Sequence, residues 1–545
     1  MLTVSLLAAL LIASPVSAVT PPDGYQRQPV DVEHYRFALT LSDSTDRIVG
    51  RATVRIKLLS AGMSSVWLDL ASMAPERKGR GMRVTGVTSG GASLRYVHAD
   101  DRVTMTLATP STAGQVVEFV VAYEGIPADG LLIRPTPHGD RSFFSDDWPD
   151  KAHQWLPTID HIGDKATMEM DVVAPPHYQV ISNGRRMEET DLADGTRRTV
   201  WRESVPIAPW LYVLGVARFA TQHVADYHGV PIETWVFAAD RDAGFHDFAE
   251  PTRDVLAFYS EWIGPFSYEK LANVQSNSAA GGMEAASAIF YATGSVSGKR
   301  SVRWRNVVIH EIAHQWFGNA ITESDWNDVW LSEGFATYFT LLFQEHAYGR
   351  DEFAAGLRAS RASIVELDRT KLPNYRVVHE NLVNMADVTT RLTYEKGAWT
   401  LHMLRQRMGD AAFWAGVRAY HARYRERTAT TADFRAEMER ASGLDLRAFF
   451  EQWLYRGGIP RFEGTWTWNA KTQQVEVEVK QVQGGAPYVM PLEIAIAIGE
   501  GAPVVQEMAL AGAVTRASFG AARAPTSVTL DPSVKALFAG ELTKK

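Results

Sequence analysis

The hydrophobic period of this chain changes twice, and those two changes limit its possible architecture more than any single residue does. Across residues 25–219 apolar and polar residues alternate, as in Tyr35-Arg36-Phe37-Ala38-Leu39-Thr40-Leu41 and Ala52-Thr53-Val54-Arg55-Ile56-Lys57-Leu58. A period of two belongs to half-buried antiparallel strands. Between residues 245 and 450 the spacing lengthens, and the stretches 255–262, 304–317, 331–346 and 399–407 suit helices. After the turn Tyr455-Arg456-Gly457-Gly458-Ile459-Pro460 alternation returns in 475–479 and 492–496. A chain of 545 residues is too long for one core, since domains usually hold roughly 100–200 residues. The expectation is an α+β multidomain protein in the order β, mainly helical, β. The predicted divisions are a leader at 1–18 and domains at 19–219, 220–457 and 458–545.

The leader rests on an apolar run at 6–13, then Pro15 and the small residues Val16-Ser17-Ala18. This is the pattern of a secretory signal peptide cut after Ala18, although no Lys or Arg precedes the run. The run is too short to cross a bilayer, which takes about 20 residues. The expected destination is therefore outside the cytoplasm, periplasmic or secreted, without a stable membrane span. A net charge of -8 and a pI near 6.0 give no electrostatic footprint for nucleic acid. The densest basic run, 77–83, is broken by glycines and reads as a solvated loop. With no cysteine in the sequence there is no disulfide and no thiol nucleophile, so a metal site must use His, Asp and Glu.

One helical stretch carries chemistry. In Val308-Ile309-His310-Glu311-Ile312-Ala313-His314-Gln315-Trp316-Phe317 the histidines lie four apart, on one helix face, where both imidazoles can reach one ion. Glu311 lies about 100° round the helix, placed to act on an attacking water and not to ligate. Catalytic zinc takes three protein ligands, so a third must come from elsewhere. Trp330-Leu331-Ser332-Glu333-Gly334-Phe335-Ala336 offers Glu333, 19 positions after His314 (333 minus 314). The intervening Gly318-Asn319 and Asp325-Trp326-Asn327-Asp328 have the turn chemistry to bring two helices together.

These motifs, with Gly281-Gly282-Met283-Glu284 upstream and Tyr394-Glu395-Lys396-Gly397-Ala398 downstream, resemble the gluzincin aminopeptidase family, the zinc metallopeptidases of aminopeptidase N and leukotriene hydrolase type. Trp155-Leu156-Pro157-Thr158-Ile159-Asp160 with Asp164-Lys165-Ala166-Thr167 adds a weaker match. The resemblance implies an N-terminal β-saddle, a thermolysin-like, mainly helical catalytic domain and a small C-terminal β-sandwich-like module. It implies one Zn(2+) on His310, His314 and Glu333, with Glu311 as base and then acid and Tyr394 as oxyanion donor. Gly281, Gly282, Met283 and Glu284 would bind substrate, Glu284 taking the free α-amine of a peptide. The activity so implied is hydrolysis of the N-terminal peptide bond. The alternatives are an epoxide hydrolase of the leukotriene hydrolase type, and a non-catalytic peptide-binding homologue.

Three departures from the family pattern bear on the site. Ala285 stands where the family has Asn, which leaves the local hydrogen bonds open. His161 replaces an acid of the family's Asp-Glu-Pro signature and, like His402 and His421, is given no role. The family's N-terminal Gln or Glu that helps hold the amine corresponds to Phe144-Ser145-Asp146-Asp147-Trp148-Pro149, where Asp146 or Asp147 could substitute. Trp148 either walls the pocket for the first side chain or packs beneath the saddle.

Overall fold

The computed structural model describes residues 25–545, so the leader and its cleavage point lie outside the described residues. The alternating segments of the first third form an eight-stranded sheet. Its order is Arg185–Asp191, Arg197–Ile207, Ala166–Ala174, Val30–Thr40, Ile48–Leu58, Gln115–Ile126, Gly81–Ser89 and Ala92–Ser93. Along Ile48–Leu58 every second residue is buried, so the sequence alternation maps directly onto a core face and a solvent face. A four-stranded sheet (Gln179–Ser182, Leu214–Ala217, Arg141–Ser145, Leu131–Pro135) and a three-stranded one (Ser65–Asp69, Arg102–Thr106, Tyr96–Ala99) complete this β-rich region. Tyr35, Phe37, Ile56, Phe119, Met168 and Met170 belong to the apolar core of this region.

A five-stranded sheet follows, in the order Phe219–Tyr227, Val230–Phe237, Leu271–Ser276, Ala288–Ala292, Gly282–Met283. The three strands after residue 263 were not legible in the sequence, where this whole stretch reads as mostly helical. Leu271–Ser276 is buried at every position, and a strand buried on both faces shows no alternation. The short edge strand Gly282–Met283 pairs antiparallel with Phe290 and Tyr291 and leads directly into Glu284.

The helices are α1 (Arg241–Asp247), α2 (Thr252–Trp262), α3 (Val302–His314), α4 (Trp330–Tyr348), α5 (Arg350–Thr370), α6 (Arg391–Met408), α7 (Asp410–Tyr424), α8 (Thr431–Ser442) and α9 (Arg447–Phe450). The four helices expected from periodicity are α2, α3, α4 and α6. Among the described residues no helix is long and apolar enough to cross a membrane.

Beyond α9 a four-stranded sheet (Val514–Gly520, Gln474–Gln481, Arg461–Asn469, Ala539–Lys544) and a three-stranded one (Val504–Leu510, Met490–Ala497, Ser527–Leu530) form the C-terminal module. This module shares one continuous apolar core with the helices, running through Leu357, Trp399, Trp453, Phe462 and Phe538. Arg361 on α5 donates to Asp531 at 2.5 Å, and Arg461 donates to the buried Asp368 at 2.7 Å. Both contacts cross the seam between helices and sheets.

Candidate active site

The helical spacing of His310 and His314 places their Nε2 atoms 3.0 Å apart at the end of α3. Oε2 of Glu333, in the first turn of α4, lies 3.4 Å from His310 Nε2 and 3.2 Å from His314 Nε2. Two ligands sharing a tetrahedral ion at bond lengths of about 2.0–2.1 Å stand about 3.3 Å apart. The three donors therefore fit one ion. Glu333 Oε2 is buried and accepts no hydrogen bond, the condition expected of an oxygen whose partner is a cation.

The electrostatics agree with a positively charged occupant. Burial pulls the His310 imidazole below its ordinary pKa. Burial also opposes charge on His314, but Glu284, Glu333 and Glu311 more than offset it and push His314 up to about 10. The surrounding carboxylates thus stabilise positive charge where the two rings meet. His314 Nδ1 faces Ser332 Oγ at 2.9 Å and the Phe317 carbonyl at 3.1 Å. An Nδ1–H donated to these oxygens leaves the Nε2 lone pair directed at the cluster.

Glu311 is buried beside the triad, and Gly282 faces it at close range. A Cβ on Gly282 would stand 2.1 Å from Glu311 Oε1, so only glycine lets the edge strand lie against this carboxylate. Gly281 has open space around it. The two glycines therefore differ in purpose, and only the first leaves free room beside the cavity. Burial, and after it the charge of Glu284, raises the Glu311 carboxyl well above the usual range.

Glu284 is held by the same segment that carries the histidines. Gln315 Nε2 donates to the Glu284 carbonyl at 2.9 Å, and Asn319 Nδ2 donates to the same oxygen at 2.6 Å. Gln315 Oε1 accepts from the Ser287 N–H at 3.0 Å. The backbone around Ala285 is thus anchored from the segment that follows α3, where the family's asparagine is missing. The Glu284 side chain stays buried with Oε1 unbonded, and burial raises its pKa to about 7.

Tyr394 reaches the triad from α6, its ring 6.1 Å from that of His310 and nearly parallel to it. Gly334 and Gly397 explain the approach. A Cβ on Gly397 would lie 2.9 Å from the Gly334 Cα, so α4 and α6 touch backbone to backbone. Burial and the nearby Glu333 charge push the Tyr394 phenol well above its ordinary pKa, which keeps it a donor. Asp146, Trp148, Ala279, Ala280, Gly281, Gly282, Met283, Glu284, His310, Glu311, His314, Glu333 and Tyr394 line a single cavity of about 350 Å³.

Comparison with known proteins gives this geometry a family. Residues 31–211 match the Peptidase M1 N-terminal domain and residues 249–453 the Peptidase family M1 domain. The chain belongs to peptidase family M1. Glutamyl aminopeptidase of Rattus norvegicus is 26% identical over 328 residues, 58% of this chain and 34% of its own length. Aminopeptidase A of Gloydius brevicauda is 25% identical over 340 residues, again 58% of this chain and 34% of that protein. The chain thus spans about a third of the length of these relatives. An M1 zinc metallopeptidase of Deinococcus radiodurans is 25% identical with a TM-score of 0.66, covering 78% of this chain and 94% of the other.

Within this M1 peptidase the N-terminal β region supplies one wall of the cavity. Asp146 lines it. Asp147 is fully buried and accepts from Trp155 Nε1 at 2.8 Å, a packing position. Trp148 lines the cavity, and it packs edge-on against Trp210 and Trp326 at 5.0 and 4.8 Å between ring centroids. Lys165 is half-buried and donates to the carbonyls of Asn319 and Ala320 at 2.8 and 2.9 Å, tying the β region to the turn after α3. His402 bridges Tyr338 and the Val534 carbonyl, a satisfied core histidine.

Ser332, Gln315, Gly334, Gly397 and Lys165 carry no signal of their own in the sequence beyond lying inside or beside the quoted motifs, and Asn319 reads there only as a turn residue.

Proposed function

We propose that this M1 peptidase is an exported aminopeptidase that uses one zinc ion to remove N-terminal residues from peptides. The observation that carries the reading is the meeting, in one cavity, of a two-histidine, one-glutamate donor set with two further buried carboxylates, Glu311 and Glu284. The first set is metal-binding, and the other two have separate work. His310, His314 and Glu333 would hold one zinc ion, which when bound would supply Lewis acidity for the scissile carbonyl and for the attacking water.

Glu311, off the ligand set but buried against it, takes the proton of the attacking water and passes it to the leaving amine. Tyr394 donates its phenolic hydrogen to the oxygen that gains charge in the transition state. Glu284 receives the α-ammonium of the substrate, in a cavity that Asp146 also lines. This amine pairing fixes the peptide's end and makes the enzyme an aminopeptidase. The glutamyl preference in the name of the rat relative is not part of the proposal. Export rests on the leader pattern that ends at Ala18.

The test is turnover of aminoacyl-arylamides by the purified chain and by Glu311→Gln. The wild type cleaves them, stops on chelation and recovers with zinc. Glu311→Gln keeps its zinc and loses roughly 10²–10⁴ in kcat. Near wild-type turnover in that variant would refute the assignment.

A further inference from the structure

A carboxylate that pairs with an amine has to be placed as well as present, and the loop that carries Glu284 is held at both ends. We infer that Asn183, in the N-terminal β region, is a positioning residue for substrate binding. Through the backbone of residues 284–287 it sets where the Glu284 carboxylate stands. The inference rests on the aminopeptidase reading above and deepens it.

Residues 284–287 join the edge strand Gly282–Met283 to the strand Ala288–Ala292. Gln315 and Asn319 fix the near end through the Glu284 carbonyl. Asn183 fixes the far end. It directly follows the strand Gln179–Ser182 and is fully buried. Its Nδ2 donates to the Ala286 carbonyl at 2.7 Å and to the Leu211 carbonyl at 2.9 Å, while its Oδ1 accepts from the Val213 N–H at 2.8 Å. Both amide hydrogens and the oxygen are engaged, which leaves the side chain a single orientation. The bonds to Leu211 and Val213 brace it within the β region, and the bond to Ala286 reaches across to the loop.

The next residue adds a second tie. The Gly184 N–H donates to Ser287 Oγ at 2.7 Å. Only glycine suits this turn, because φ is +72° and a Cβ would stand 1.9 Å from the Arg202 carbonyl oxygen. Ser287 itself is fully buried with φ +63°, a conformation that residues other than glycine keep only where their surroundings enforce it. Its N–H donates to Gln315 Oε1 at 3.0 Å, and its Oγ accepts from Lys270 Nζ at 3.3 Å and donates to Glu203 at 3.2 Å. Released at Ala286 or Ser287, the turn relaxes toward ordinary backbone angles and carries Glu284 with it. The metal-binding residues and Glu311 lie on α3 and α4, outside this loop. The effect therefore falls on holding the amine and not on the attack of water.

The experiment is steady-state kinetics on Leu-arylamide with the zinc-loaded full chain, for wild type, Asn183→Asp and Ser287→Ala, with bound zinc measured alongside. Aspartate keeps the shape of Asn183 but, charged or protonated, donates to at most one of the two carbonyls. Ser287→Ala removes the oxygen that Gly184 meets and leaves Asn183 intact. Each variant is expected to raise KM at least about tenfold, with kcat within about threefold of wild type and zinc bound at the wild-type ratio. A smaller rise in KM in folded Asn183→Asp overturns the inference. So does a joint loss of kcat, substrate binding and zinc, which marks a purely structural role. Should Asn183→Asp not fold, the same criteria decide on Ser287→Ala. Wild-type protein that cleaves no free-amine arylamide is a different result, which defeats the aminopeptidase reading itself.

Discussion

Ser332 precedes Glu333 at the start of α4, and its hydroxyl lies 2.9 Å from Nδ1 of His314. It touches neither substrate nor metal position, yet it sets which nitrogen of His314 is free to ligate. Partners of this kind are worth about 10–100-fold in metal affinity. Ser332→Ala is therefore expected to lower zinc affinity by about tenfold in a chelator competition, with Ser332→Thr retaining most of it. An unchanged affinity in the alanine variant would show that the Phe317 carbonyl alone orients the ring. The contrast with the triad explains what was readable at this scale. His310 and His314 announce themselves because helix geometry forces residues four apart onto one face. Ser332 and Gln315 act through other residues, and a lone hydroxyl or amide in a helix has no spacing to betray it. The choice between Asp146 and Asp147 was likewise undecidable from adjacent, identical side chains, and burial separates them.

At the scale of elements, Gly334 and Gly397 do for α4 and α6 what the ligand spacing does within α3. They let two helices meet so closely that Glu333 and Tyr394 share a cavity. Gly397→Ala inserts a methyl group where the backbone stands 2.9 Å away, an overpacking worth about 1–3 kcal/mol. The expected outcome is a lower melting temperature together with a fall in kcat exceeding any change in KM, because Tyr394 moves while Glu284 does not. Equal losses in kcat and KM, or neither, would contradict this. The α4 and α6 periodicity was legible in sequence, but the crossing was not, since a glycine in a helix signals tolerance as readily as contact. The strand Leu271–Ser276 escaped for a related reason. Burial on both faces erases the alternation that identifies a strand.

The N-terminal wall has its own electrostatic clasp. His153 Nδ1 meets the buried Asp160 carboxylate at 2.6 Å. Burial opposes charge on the ring, but the bond and charge of Asp160 raise its pKa from 6.5 to about 9. Because the folded value lies above the unfolded one, the contribution is whole below about pH 6.5 and is lost as pH rises through about 9. It is worth at most about 3–4 kcal/mol. The stability difference between wild type and His153→Asn should shrink over that window in denaturant titrations. A difference constant from pH 6 to pH 9.5 would show that the His153–Asp160 pair does not stabilise the fold.

For the whole molecule, the order β, helical, β was legible because period is a property of each segment alone. What each apolar face packs against was not. The C-terminal module looked separate in sequence, yet Trp399 and Phe538 lie in one core, and Arg361 to Asp531 crosses the seam. The catalytic helices are consequently braced on both sides, by Lys165 from the β region and by the C-terminal sheets. That bracing holds three separated motifs, Gly281 to Glu284, His310 to Asn319 and Ser332 to Gly334, around one cavity. In the proposed function this assembly recognises a peptide by its free α-amine through Glu284. The most direct measurement is kcat/KM for Leu-arylamide against its N-acetylated form with zinc-loaded protein. Blocking the amine is expected to abolish cleavage, while equal cleavage of the two would rule out Glu284 as the partner of the amine.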